Sequence, residues 1–351
     1  MANDQAHNTA TDDPDERATP DVTAVVAAVV ASDLDTFAPQ SGFSISGTLV
    51  KGNVLTVTKA GGGFGTKPGG EKPVYAAMWE DGHDSKDASD LSRDTGLTVT
   101  GDSGATVQGD FTTPGGVNAL EYVYDGSTGA GQIQFFYTST GKEIWFSKRQ
   151  LDFDEDTQPA TGDKAWRLWS GSVGNHNLYF DTGGKFTAER TDGSFHNEGH
   201  RFSAIKDRWG REKCRLLQGD LDVENAKAWW IMDGVEIETP NFYSQRTIAG
   251  SGNSSDRIGL YNFFVSAQEQ TATNDIPAGS KAWNAMLYMD DSWCHAVLTD
   301  SATFSDESAQ EVQPIDAWAD GTVAIVFRPY AGLNHLHIVD SNYNSFYVGE
   351  R

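Results

Sequence analysis

An all-β fold is predicted by three features of the 351-residue chain: 37 glycines, an aromatic content of 11%, and short β-branched and aromatic runs separated by Gly, Asn, Asp and Ser. Strands are expected at residues 53–58 (NVLTVT), 119–124 (ALEYVY), 132–138 (QIQFFYT), 143–147 (EIWFS), 165–169 (AWRLW), 228–232 (AWWIM) and 258–265 (IGLYNFFV). Further strands are expected at 285–289, 323–328 and 336–339. Alternation is clearest where Val323, Ile325 and Phe327 interleave with Ala324, Val326 and Arg328. No long helix is expected beyond residue 42, and no repeat of fixed period marks a propeller or solenoid.

Fifty Asp and Glu against 26 Lys and Arg leave a formal charge of −24. No run of basic residues reverses that field, so a nucleic-acid partner is excluded. Two cysteines, Cys214 and Cys294, can pair or stay reduced and do not fix a redox compartment. The first 20 residues are polar and acidic, with Asp12, Asp13, Asp15 and Glu16 against Arg17, whereas a secretory signal opens on basic residues. The apolar run at 22–31 is far short of the roughly 20 residues needed to cross a bilayer. Neither a signal peptide nor membrane insertion is therefore expected. Asp21 is placed to cap a helix over 22–37 that ends before Pro39. Its Ala and Val faces are almost uniformly apolar, which suits a docking or oligomerisation peg, or a helix packed on its own domain.

Two motifs are set aside. Residues 101–104 (GDSG) carry the letters found around a serine-protease nucleophile, but only His7 and His83 lie upstream and neither has the sequence context of a catalytic histidine. Residues 61–68 (GGGFGTKP) superficially suit a phosphate loop, yet Thr66 separates Gly65 from Lys67 and Pro68 follows, so no Gly-Lys-Ser/Thr opens a helix. A β-turn is expected there.

Residues 43–58 (FSISGTLVKGNVLTVT) and 63–68 (GFGTKP) resemble the opening of an immunoglobulin-like IPT/TIG module. Residues 311–327 (EVQPIDAWADGTVAIVF) and 336–342 (LHIVDSN), with a turn at 340–344, resemble its remainder. Residues 143–154 (EIWFSKRQLDFD), 164–169 (KAWRLW) and 287–293 (LYMDDSW) resemble the concanavalin A-like lectin/glucanase jelly roll of bacteriophage and marine-bacterial proteins. The resemblances imply an all-β chain in which a jelly-roll β-sandwich is inserted in or follows a small Ig-like β-sandwich, with a short N-terminal helix. The expected segments are an acidic arm and docking helix at 1–40, an Ig-like module at 41–80 plus 301–351, and a lectin-like jelly roll at 81–300.

Glucanases of this fold carry Glu-x-Asp on one strand, where alternation sets both carboxylates on one face; no Glu of this chain has an Asp two residues later. Alginate-lyase-like members carry Gln-x-His, and Gln132-Ile133-Gln134 lacks the His. Binding without cleavage is therefore the expectation, with aromatic rings stacking on sugar and planar polar groups taking its hydroxyls. The candidate carbohydrate-binding residues are Arg167, Trp169, His176, Tyr179, Trp209 (in a charged loop, 206–213) and Trp230. A lyase assembled from Arg167, His176, Tyr179 and Lys185 is the enzymatic alternative. Asp290 and Asp291 are candidate ligands of a structural Ca²⁺, with solvated surface charge as the other reading. His335 and His337 are expected on an exposed edge strand. The resemblance and the missing signal together imply a virion structural protein of phage type, a head or tail fibre or spike. Its N-terminal segment would dock on other virion proteins and its jelly roll would bind bacterial surface polysaccharide, with a homotrimer as the expected oligomer. The alternatives are a polysaccharide lyase or hydrolase and a capsid decoration protein without ligand.

Overall fold

The computed structural model describes residues 36–71, 73, 75–77, 98–100, 105–112, 118–123, 134–136, 143–151, 164–169, 177–181, 186–189, 195–198, 210–217, 220, 223, 225–232, 235–238, 262–264, 281–306 and 308–351. All regular elements among them are strands, so the described part of the chain is all-β. The first are β1 (Ala38–Pro39), β2 (Phe43–Ser46), β3 (Val54–Lys59), β4 (Tyr75–Ala77), β5 (Thr98–Thr100), β6 (Ala105–Thr112), β7 (Asn118–Val123) and β8 (Gln134–Phe136). Next come β9 (Glu143–Leu151), β10 (Lys164–Trp169), β11 (Asn177–Asp181), β12 (Phe186–Glu189), β13 (Phe195–Glu198), β14 (Gly210–Leu217), β15 (Lys227–Met232) and β16 (Val235–Glu238). The last are β17 (Asn262–Phe264), β18 (Lys281–Asp290), β19 (His295–Thr299), β20 (Gln310–Gln313), β21 (Ile315–Ala319), β22 (Thr322–Val326), β23 (His335–Val339) and β24 (Ser345–Glu350).

Both ends of the described chain build one small sandwich. Its sheets run β1-β24-β23-β19-β20 and β2-β3-β22-β21, all antiparallel. Period-two alternation explains the packing: Leu55 and Val57 of β3 are fully buried and pair with Ile325 and Val323 of β22, while Val54 and Thr58 stay exposed. Ala296, Leu298, Leu336, Ile338 and Val348 come from the other sheet into the same core. Each large apolar side chain so enclosed contributes roughly 1.5–3 kcal/mol. Phe64 sits at the centre, edge-on to Phe346 at 5.4 Å between ring centroids and tilted against Trp318 at 6.1 Å.

Phe37, expected at the end of a helix, is instead non-helical and buried, packing edge-on against Phe327 at 6.2 Å. The rest of the expected helix lies outside the described residues. The glycine-rich segment is a loop with a ligand of its own: the Asp320 carboxylate accepts hydrogen bonds from the Gly63 and Gly65 main-chain N–H groups at 3.0 and 2.8 Å. At Gly62 (φ +71°) a Cβ would stand 2.4 Å from Asp320 Oδ2, which explains the glycine.

The remaining strands form two large antiparallel sheets. One runs β13-β12-β11-β10-β17-β8-β5; the other runs β16-β15-β14-β9-β18-β7-β6, with β4 also on β18. Thus Tyr75–Ala77, inside the 41–80 segment, belongs to the eight-stranded sheet, and His295–Thr299, inside the 81–300 segment, belongs to the small sandwich.

The two histidines expected on an exposed edge sit on β23, the third of five strands, and His337 is only 1% exposed. Its Nε2–H donates to the Ser301 carbonyl at 3.0 Å, its Nδ1 lies 3.2 Å from the Ser345 hydroxyl, and burial holds the ring below the ordinary histidine value. His295 is fully buried, donates from Nδ1 to the Trp293 carbonyl at 2.7 Å, and is pushed by burial down to about 3. The unfolded chain therefore binds protons that the folded one refuses. Stability from His295 is complete above the ordinary histidine value of 6.5 and is lost as pH falls from there towards about 3. Replacing His295 with Gln, which keeps an N–H for Trp293, is expected to flatten the loss of stability between about pH 6.5 and pH 4 in urea unfolding.

Candidate functional site

The seven-stranded sheet carries three of the residues that the sequence points to, Arg167 and Trp169 on β10 and Tyr179 on β11. Strand register makes Arg167 the direct partner of Tyr179, Tyr179 the partner of Thr187, and Thr187 the partner of Asn197. Two residues along β10, Trp169 pairs with Asn177 on one side and Asn262 on the other. The row between these runs through Val99, Phe135, Phe263, Leu168, Leu178 and Ala188, apolar until it ends at His196 on β13. Alternation therefore gives this sheet one apolar and one polar face, and Arg167, Trp169 and Tyr179 share the polar one. A cross-strand Arg–Tyr pair bordered by Asn, Thr and Trp combines a cation for an anionic group, an ionisable hydroxyl, and a ring for a sugar's C–H face. His176, Lys185 and Trp209 lie outside the described residues. Trp230 falls in a row with Cys214, Phe146 and Ile237, whereas its neighbour Trp229 falls with Arg215, Trp145 and Glu238.

The eight-stranded sheet holds a second charged face. Residues 210–213, expected in a charged loop, open β14, where Arg211, Lys213 and Arg215 alternate with Glu212, Cys214 and Leu216. The apolar set goes inward: Cys214, Leu216 and Ala228 are buried. The basic set meets loops and strands of the small sandwich. Arg211 pairs with Glu311 at 2.7 Å, and Lys213 donates to the Asp306 carbonyl at 2.8 Å and lies 3.4 Å from its carboxylate. Arg215 is held differently. Its guanidinium lies 4.3 Å from the Trp229 ring centroid, 5.2 Å from that of Trp293 and 3.9 Å from that of Tyr343. Tyr343 occupies a left-handed conformation (φ 65°) in the β23–β24 turn, which is closed by Asp340 accepting from Asn342 and Asn344 at 2.9 and 2.8 Å; its hydroxyl donates to Asp306 at 2.5 Å. Nearby, burial raises the Glu143 carboxyl above its ordinary range, against the lowering effect of a main-chain hydrogen bond from Trp293.

Of the two expected Ca²⁺ ligands, Asp290 and Asp291, the first has partners from the chain itself. Its Oδ1 lies 2.9 Å from Lys67 Nζ, with both side chains almost fully enclosed, and also accepts from the Ser292 N–H and hydroxyl at 3.1 Å each. Among the described residues, no cluster of three His, Cys, Asp or Glu side chains is arranged to hold a metal ion.

No family model and no curated protein matches the chain. Among solved structures, it is similar to the marine PL-14 alginate lyase from Aplysia kurodai, at 12% identity and a TM-score of 0.43 over 62% of this chain and 98% of that one. It is also similar to an alginate lyase from Chlorella virus (13% identity, TM-score 0.40, 53% of this chain and 88% of that one). A third is the endo-β-1,4-glucuronan lyase of the fungus Trichoderma reesei (10% identity, TM-score 0.37, 64% and 95%). These are polysaccharide-cleaving enzymes. The expectation of a non-cleaving virion fibre or spike protein is corrected accordingly: the solved structures it is similar to are lyases, and nothing in the comparisons supports the Ig-like label or the phage link.

Proposed function

We propose that the chain is a polysaccharide lyase that cleaves uronic-acid-containing chains by β-elimination, with its site on the polar face of the seven-stranded sheet. The observation that carries the proposal is the direct cross-strand pairing of Arg167 with Tyr179, beside the Trp169, Asn177 and Asn262 row. Elimination from a uronate breaks the C5–H and C4–O4 bonds and forms a C4=C5 double bond, with no water consumed. The proton leaves a carbon next to a carboxylate, so the reaction needs a group that neutralises that carboxylate as charge builds on it. Arg167, aided by Asn177 and Asn262, has the chemistry for this role. A base must take the C5 proton and an acid must deliver one to O4; Tyr179 suits these steps, as a phenol can donate or, ionised, accept. Trp169 supplies the stacking surface that fixes the sugar ring.

Incubating the full chain with a panel of polyuronates and neutral glucans, while following ultraviolet absorbance of the conjugated double bond, tests this reading. A rise with a polyuronate and none with neutral glucans is expected. Silence across the panel overturns it.

A further inference from the structure

Arg215 differs from the two basic residues that share its strand. Arg211 and Lys213 are neutralised by Glu311 and Asp306, but Arg215 forms no ion pair among the described residues, and its enclosed Nε has no hydrogen-bond partner there. The carboxylate in its register row, Glu238, is engaged by Lys227 instead, and that hydrogen bond is the main cause holding the Glu238 carboxyl below its ordinary range. Three rings nevertheless fix the guanidinium in place. Trp229 and Trp293 meet edge-to-face at 85°, Trp293 and Tyr343 at 81°, and all three are only partly buried. Ring contacts orient a guanidinium without consuming its in-plane N–H donors, because the attraction runs through the π faces.

We infer that Arg215, framed by Trp229, Trp293 and Tyr343, is a receptor for the carboxylate of a uronic sugar, separate from the Arg167–Tyr179 face. A planar fork of N–H groups matches a carboxylate bidentately, and the rings around it offer an apolar rim to the sugar's C–H groups. Since Tyr343 belongs to the β23–β24 turn and Arg215 to β14, the receptor exists only where the small sandwich meets the eight-stranded sheet. The site deepens the lyase reading, because it would hold a second stretch of the same acidic chain, but its test does not need turnover.

The test uses trigalacturonate as probe and maltotriose as neutral control, on the full chain carrying Tyr179→Phe so that the probe is not consumed. The arginine Nε–H resonance that disappears in Arg215→Lys identifies the residue. That resonance is expected to shift with trigalacturonate and to stay with maltotriose, and Arg215→Lys, which keeps charge but loses the fork, is expected to weaken calorimetric binding at least about tenfold. Should Arg215→Lys fail to fold, Arg215→Gln supplies the assignment and the affinity comparison in its place. An unmoved resonance, an equal shift with maltotriose, or unchanged affinity in Arg215→Lys overturns the inference. If the lyase reading alone is wrong, no double-bond absorbance appears in the wild-type chain, yet the Arg215 resonance still moves.

Discussion

Replacing Lys67 with Met is expected to lower the unfolding free energy by about 3–5 kcal/mol, the cost of stranding one member of a buried ion pair. The Lys67 side chain is 1% exposed and that of Asp290 is 0% exposed, so neither charge can turn to water when its partner is lost. The ammonium also donates to the main-chain carbonyls of Gly70 and Pro68 at 3.0 and 3.3 Å, which ties the glycine-rich loop to the end of β18. Burial pushes the Asp290 carboxyl up to about 7, an effect that Lys67 opposes and the neighbouring Asp291 charge reinforces. Between the ordinary value of 3.8 and about 7 the folded chain therefore holds a proton that the unfolded chain releases. The stability from that proton is complete below 3.8 and lost as pH rises through about 7. Without Lys67 the carboxyl rises further. The Lys67→Met deficit should thus be larger at about pH 8 than at about pH 5, and adding Asp290→Asn should recover most of it. Equal deficits at both pH values in chemical unfolding, or no recovery in the double variant, would refute this account of the pair.

The all-β class was legible because alternation survives wherever one face is apolar and the other polar, as on β3, β10 and β22. Strand β14 escaped for the opposite reason. Its Arg211, Lys213 and Arg215 have the same period-two spacing, but Glu212 falls among the intervening residues, so the segment reads as charged and therefore loop-like. What covers those basic side chains is tertiary: Glu311, Asp306 and Tyr343 lie about 90 or more residues away and supply partners that no local pattern announces. Lys67 was hidden in the same way. Its local sequence spells only a glycine-rich turn, whereas its role depends on Asp290, 223 residues along the chain. The candidate residues on β10 are placed on one face by alternation, which separates Arg167 and Trp169 from Trp166 and Leu168. The pairing of Arg167 with Tyr179, by contrast, is a property of register, which the spacing of two runs does not specify without the turn between them.

That pairing leads to the largest kinetic effect expected of any single substitution here. If Tyr179 moves the proton, Tyr179→Phe removes one oxygen and leaves the ring, so kcat should fall by about 10²–10⁴-fold while KM changes little. Arg167→Lys should act on both constants. A lysine keeps the charge that attracts a uronate, but as a compact ammonium it loses the planar fork that tracks the carboxylate as it gains enolate character, so ground-state and transition-state binding both weaken. The pH profile separates the residue from its surroundings: a phenol acting as base makes kcat/KM rise with pH on the alkaline side, and Tyr179→Phe should abolish that limb rather than displace it. Arg215→Lys, on the other sheet, should instead raise KM for long chains and leave kcat and the alkaline limb in place, because it holds substrate at a distance from the reacting carbon. A Tyr179→Phe variant that kept wild-type kcat would move the proton-transfer role to another group on the polar face. Loss of the alkaline limb in Arg215→Lys would show that the two sheets do not divide the work as the register implies.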